Sequence, residues 1–157
     1  MYEHQKRKIQ KSYSERRGVA AVESALVVPL LVMIAMGTMD VSQYVNVAQL
    51  VNDASYEGAR RASQNNVKNQ SEVEQSVLNY FTSQFPNQAS GEIGSALTVN
   101  VRDYLEANIP NGNLETVPSG SAVSVQVIFQ FNSVRWLSGF AGLNGVSIET
   151  TTVMRRE

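Results

Sequence analysis

The stretch Arg17-Gly18-Val19-Ala20-Ala21-Val22-Glu23-Ser24-Ala25-Leu26-Val27-Val28-Pro29-Leu30-Leu31 decides how this chain is read. A basic leader and a glycine stand directly before an apolar span, and one carboxylate, Glu23, sits near the start of that span. Residues 25–39 carry no charge. Counted from Val19 the run is about 21 residues, close to the roughly 20 that a helix needs to cross a bilayer core. A carboxylate in hydrocarbon is costly and is tolerated when it is paired or lies near the interface. A cut after Gly18 would create an amino group on Val19, about one helical turn from Glu23, on the same chain or on a neighbour. In low dielectric those two groups form an ion pair. The plainer reading keeps Glu23 at the interface, outside hydrocarbon.

A basic leader, a glycine, a glutamate five residues later and an apolar helix together resemble the processing site of type IV prepilins. The run quoted above narrows this, because it resembles the start of TadE-like proteins, minor pilins or pseudopilins of the tight-adherence (Flp pilus) system. The segment Ala54-Ser55-Tyr56-Glu57-Gly58-Ala59-Arg60-Arg61-Ala62 is similar to the glutamate-glycine-alanine-arginine signature that follows the span in that family. The ending Met154-Arg155-Arg156-Glu157 is similar too. Ser24 stands where the family more often has an aromatic residue. The resemblance implies cleavage between Gly18 and Val19 by a prepilin peptidase on the cytoplasmic face, and an assembly role for Glu23. It also implies sister pilins and an inner-membrane assembly platform as partners, and a part in pilus biogenesis, adhesion, biofilm formation and secretion.

Charge gives the orientation independently. Residues 1–18 carry six Lys or Arg against two Glu, and residues 19–157 carry seven against twelve Asp or Glu. Positive flanks stay in the cytoplasm, so the amino terminus is expected inside and the body outside. The cluster Lys6-Arg7-Lys8 with Lys11 is a topology signal rather than a nucleic-acid patch, since the rest of the chain is acidic. Asp40 closes the apolar run and is expected to mark the outer interface.

Three segments follow: a polar, unstructured leader over 1–18, a long helix over 19–62 with 19–39 in the membrane, and an extracytoplasmic α+β domain over 63–157. Beyond the span, Val41, Tyr44, Val45, Ala48, Val51, Ala54, Ser55, Ala59 and Ala62 recur at helical steps. The helix they extend would be on the order of 65 Å long. Pro29 removes a backbone donor and Gly37 adds a second weak point, so a kink or local unwinding is expected within the span. Ser71-Glu72-Val73-Glu74 has the spacing of a capping box and opens a second helix running to about Phe85, before Pro86.

Three strands are expected. Leu97, Val99 and Val101 alternate with polar residues; so do Val123, Val125, Val127, Phe129 and Phe131; and residues 146–153 are rich in β-branched side chains. Residues 102–108 extend the first strand or form a helical turn. An antiparallel sheet of about three strands, with the second helix and the outer half of the long helix on its apolar face, is the simplest way to hide Phe129 and Phe131.

Chemistry is sparse. With no cysteine and a single histidine, His4 in the leader, the body cannot build a thiol nucleophile, a Ser-His-Asp triad or a histidine metal cluster. Nothing marks a catalytic pair among Glu92, Asp103, Glu106 and Glu115, and Asn111, Asn113 and Glu115 read as loop polarity before calcium ligands. The chain is expected to be no enzyme and to need no cofactor or metal. Glu57, Gly58, Arg60 and Arg61, with the apolar loop residues Trp136, Leu137 and Phe140, form the candidate subunit interface; their plain readings are a solvated helix face and a lid on the core. Two other readings stay open: an uncleaved, membrane-anchored binding module, and an exported protein cut near Ala35-Met36-Gly37.

Overall fold

The structure, a computed structural model, describes residues 2–86, 90–103, 105, 107–134, 142–143 and 145–157, with backbone alone at 2–18, 90 and 111. Helix α1 spans Tyr2–Ser63. The chain divides into two compact units, Met1–Val41 and Ser42–Glu157, and α1 contributes to both.

In the first unit the leader is helical from Tyr2 rather than unstructured. The cause is local: residues 2–17 contain neither Gly nor Pro and are rich in Lys, Arg, Gln and Glu, all good helix formers. The helix passes through Pro29 and Gly37 without a break, so the expected unwinding is absent. Thr38 Oγ1 donates to Ala35 O at 2.8 Å, a local bond of the kind that lets a hydroxyl sit inside an apolar helix. Asp40 is fully buried and has an interaction partner.

The second unit is the α+β body. After α1 come α2 (Gln70–Gln84), α3 (Ser90–Ala96), β1 (Leu97–Arg102), β2 (Ala122–Gln130) and β3 (Ser147–Arg155). The strands form an antiparallel sheet in the order β1-β2-β3, with Val99 opposite Val127 and Val127 opposite Thr150. β2 takes the centre because its alternation is the cleanest. Val123, Val125, Val127 and Phe129 are fully buried, while Ser124, Gln126 and Ile128 point to the uncovered face. Phe131 is buried as expected, but in a short 3-10 turn after the strand.

Helix α2 covers the apolar face with Val73, Val77 and Phe81, whose ring stacks on Phe129 at 5.0 Å between centroids. Burying one such phenylalanine is worth roughly 2–3 kcal/mol. The outer part of α1 adds Val47, Val51, Ala54, Ala59 and Ala62, with Tyr44 edge-on to Phe131 at 5.4 Å. Val41 and Val45, assigned to this face by periodicity, are exposed; Val47 and Gly58 take the inward positions instead.

The capping box is not formed. α2 starts earlier, after Asn69, so Ser71 lies inside the helix and Glu74 accepts from Gln70 Nε2 at 2.8 Å. α3 was not expected, because its two glycines, Gly91 and Gly94, argue against a helix. β1 ends at Arg102, which bridges Asn108, and Asp103 N donates to Ala107 O at 3.0 Å. Asp103 Oδ1 accepts from the amides of Leu105 and Ala107, which folds the chain back.

Gly58 marks a close approach of α1 to α2 and β2. A Cβ there would lie 2.7 Å from Val77 Cγ2 on α2 and 3.1 Å from Val125 Cγ1 on β2. Three positions before it, Ser55 Oγ sits 2.9 Å from both Val125 O and Thr152 Oγ1. Having one proton, it donates to the carbonyl and accepts from the threonine. Gly58→Ala gains about 1 kcal/mol of helix propensity but overpacks this junction by about 1–3 kcal/mol. The expected net result is a destabilised protein, and Val77→Ala in the same chain should recover part of the loss. A double-mutant cycle by urea unfolding in detergent measures that coupling, and simple additivity would show that the contact is not tight.

Candidate functional site

The candidate processing and assembly residues lie along α1. Gly18 falls within the helical backbone, and Val19 is exposed, as are Val22, Leu26, Val27, Val28, Leu30, Leu31, Val32, Met33 and Ile34. Among the described residues this is the one helix long and apolar enough to cross a membrane, and its apolar window is wholly unburied. Such a helix has the character of a single-pass membrane anchor. Glu23 is exposed in the midst of it, and among the described residues it has no hydrogen bond or ion pair.

The Glu57-Gly58-Ala59-Arg60-Arg61 segment is split by the helix geometry. Glu57 and Arg60 face outward and pair at 3.3 Å, with Tyr56 exposed beside them. At this exposure the pair contributes only a few tenths of a kcal/mol. Arg61 does not join that pair; it donates to Gln64 Oε1 at 3.0 Å. Gly58 and Ala59 face inward and pack against the body. Trp136, Leu137 and Phe140 lie outside the described residues; Leu143, from the same loop, packs against the core.

Sequence reasoning missed the end of α1. Arg156, past the end of β3, is buried; its guanidinium donates to Ala62 O at 3.2 Å and to Val67 O at 3.1 Å. Its backbone is held on both sides, donating to Ser121 O and accepting from Gly120 N at 2.8 Å each, while Glu157 N donates to Ser63 O at 2.9 Å. The last carbonyls of a helix lack intrahelical donors and carry the negative end of its dipole, so a cation placed there is matched in bonding and in charge. The sequence held a hint in the basic pair Arg155-Arg156, but nothing pointed to a partner 94 positions away.

Nearby, Lys68 Nζ meets Glu115 Oε1 at 2.8 Å. The hydrogen bond and charge of Lys68, with a smaller contribution from the charge of Arg156, hold the Glu115 carboxyl below its ordinary value; the same bond raises Lys68. Asn113 Oδ1 accepts from the Glu115 amide. Both carboxylate and amide are thus already engaged. Among the described residues no three His, Cys, Asp or Glu side chains gather as metal ligands. The described residues form open grooves, of about 490 Å³ beside β1 and α2 and about 350 Å³ between residues 43–53 of α1 and the end of α2.

Residues 18–60 match the family model described as TadE-like protein. This bears out the resemblance read from the sequence, and the matched range begins at Gly18 and takes in Glu23, Glu57, Gly58 and Arg60. No curated protein and no solved structure matches the chain.

Arg156→Gln should lower stability by about 1.5–3 kcal/mol, the usual worth of hydrogen bonds to a charged group. Arg156→Lys should restore only part, because an ammonium does not reproduce the planar fork. Thermal unfolding of the three proteins checks the order. The Lys68–Glu115 pair has a distinct pH signature. Its stabilisation is present above the ordinary carboxyl value and is lost as pH falls through the lowered Glu115 value; at the basic end it is lost as pH rises through the raised Lys68 value. Both groups are exposed, so the effect is small and salt-sensitive, and Glu115→Gln should remove the acid limb.

Proposed function

We propose, starting from the TadE-like match over residues 18–60, that this chain is a minor pilin or pseudopilin of a Tad-type (Flp) pilus assembly and secretion system. In this reading it enters the inner membrane with its amino terminus in the cytoplasm, and a prepilin peptidase cuts it between Gly18 and Val19. α1 then holds it among sister pilins and the assembly platform, and the body works outside. Its role is structural, in support of pilus biogenesis, adhesion and biofilm formation, while the motor and platform are separate proteins.

The observation that carries the proposal is Glu23. Among the described residues it is a carboxylate without a hydrogen bond or ion pair, exposed on an apolar helix five positions after a glycine. In lipid such a group needs a cation. The residues of the anchor itself, from Val19 to Asp40, include no Lys or Arg. Cleavage supplies what is missing: the amino group of Val19 becomes the nearest cation, within reach on a neighbouring subunit's helix. A salt bridge formed only between subunits sets their register along the helix axis, because any slip leaves two charges unpaired in low dielectric. The basic leader, six Lys or Arg in 18 residues, supports the orientation.

The amino terminus of the membrane-extracted native protein, read by mass spectrometry, tests the first step. Val19 is the expected start; Met1 would leave an anchored module, and Thr38 would mean export. For the second step, Glu23→Ala should leave membrane insertion intact and strongly reduce recovery of the chain in the assembled complex. Undiminished recovery would remove Glu23 from assembly.

A further inference from the structure

We propose that the two free edges of the sheet join head to tail between copies of this chain, β3 of one copy adding in parallel beside β1 of the next. The sheet has three strands in the order β1-β2-β3, so the outer side of β3 has no strand partner among the described residues, and on β1 only Arg102 is bridged, to Asn108. Edge strands are normally blunted by lysine, proline, a bulge or shortness. β3 carries two charged side chains, Glu149 and Arg155, but no lysine, proline or bulge. It is nine residues long and pairs with β2 in unbroken register.

The two edges complement each other. Past α1, the large apolar side chains left exposed among the described residues are Leu105, at 68%, and Val153, at 60%. Val153 lies on β3 and Leu105 follows the end of β1, so they sit at opposite edges of one sheet. Charge follows the same division. On the uncovered face Gln126 Oε1 accepts from Arg102 Nη2 at 3.4 Å, and Gln126 Nε2 donates to Glu149 Oε1. Along the chain direction the β1 edge thus presents a cation and then an apolar side chain; the β3 edge presents an anion, an apolar side chain and then a cation, Arg155.

Both strands are antiparallel to β2, so they run the same way. A parallel addition staggered by about two residues places Glu149 of the incoming copy diagonally beside Arg102, a distance that long side chains span. The same stagger carries Val153 towards Leu105. The groove of about 490 Å³ between α2 and β1, lined by Glu74, Leu78, Leu97 and Val99, lies along the receiving edge. A parallel addition also leaves the two bodies pointing the same way, as copies anchored in one membrane do. The contact is heterologous and does not close, so it strings copies together. Parallel pairing is weak for its length, and anchoring in one membrane raises the effective concentration that makes it count. The proposal goes beyond the pilin reading and does not depend on cleavage at Gly18.

The chain has no cysteine, so thiol cross-linking of the full-length protein in native membranes starts from a blank background. A chain carrying both Leu105→Cys and Val153→Cys should give a ladder of oligomers with a short bis-maleimide. Each single variant alone should give none, and the two single variants co-expressed should stop at a dimer. Thr98→Cys with Ser147→Cys should behave likewise and guards against disruption at the first pair. In the double-cysteine chain, Arg102→Glu or Glu149→Arg should cut ladder yield roughly threefold, and the two together should restore it. The proposal fails if both cysteine pairs give no ladder while the melting curve is unchanged. It fails equally if Val153→Cys alone cross-links as strongly, since that means like edges meet.

Discussion

The body depends on how a helix of 62 residues is brought to an end. α1 stops at Ser63; the carbonyls of Arg60 and Arg61 find local donors in Ser63 Oγ and Gln64 N, and those of Ala62 and Ser63 take theirs from the end of the chain. The guanidinium of Arg156 meets them there, shielded from solvent and bonded to the carbonyls of Ala62 and Val67. A buried cation is expensive unless it is fully hydrogen-bonded, and the oriented carbonyls at the helix end offset that cost. Because Arg156 directly follows β3, the same contact fixes where the last strand stops relative to the helix. The backbone bonds of Arg156 to Gly120 and Ser121 then set the start of β2 as well.

The rest of the packing follows from that tie and from one small residue. With the end of α1 fixed, Gly58 falls where α1 comes close to α2 and β2, and only a residue without a side chain leaves room for Val77 and Val125. Ser55, one turn earlier, spends its hydroxyl on the sheet, so a polar residue at the centre of the interface is satisfied rather than orphaned. The glutamate-glycine-alanine-arginine signature therefore divides its work. Its small residues seat the helix on the body, and its charged residues stay on the outside.

What was legible in the sequence was whatever declares itself through period. Val123, Val125, Val127 and Phe129 alternate so regularly that β2 needed no tertiary information, and the apolar run after Gly18 announced the anchor by length alone. Residues whose role depends on a distant partner were not legible. Arg156 reads as an ordinary basic residue until register places it under the end of α1. Ser71 reads as a cap until Asn69, two positions earlier, turns out to be where the helix begins. α3 was hidden by its glycines, and the leader was misread because basic residues suggest disorder even when each of them favours a helix. For the candidate site, the outward face of Glu57 and Arg60 was readable from helical spacing, but the inward turn of Gly58 was not.

The range of the TadE-like match, 18–60, has a physical reading. Over those residues α1 offers an apolar surface of membrane-spanning length with a single carboxylate, Glu23, in its first turns. It also presents small residues at one packing junction. Each feature falls on named positions, so few sequences combine them. The body after residue 63 is bound by looser rules: alternation along three strands, an apolar stripe on α2, and a cation for the end of α1. Many sequences satisfy alternation, and volume-conserving exchanges in such a core are tolerated. The features particular to this body, its long β3 edge and the charges flanking Gln126, lie where the helix imposes nothing.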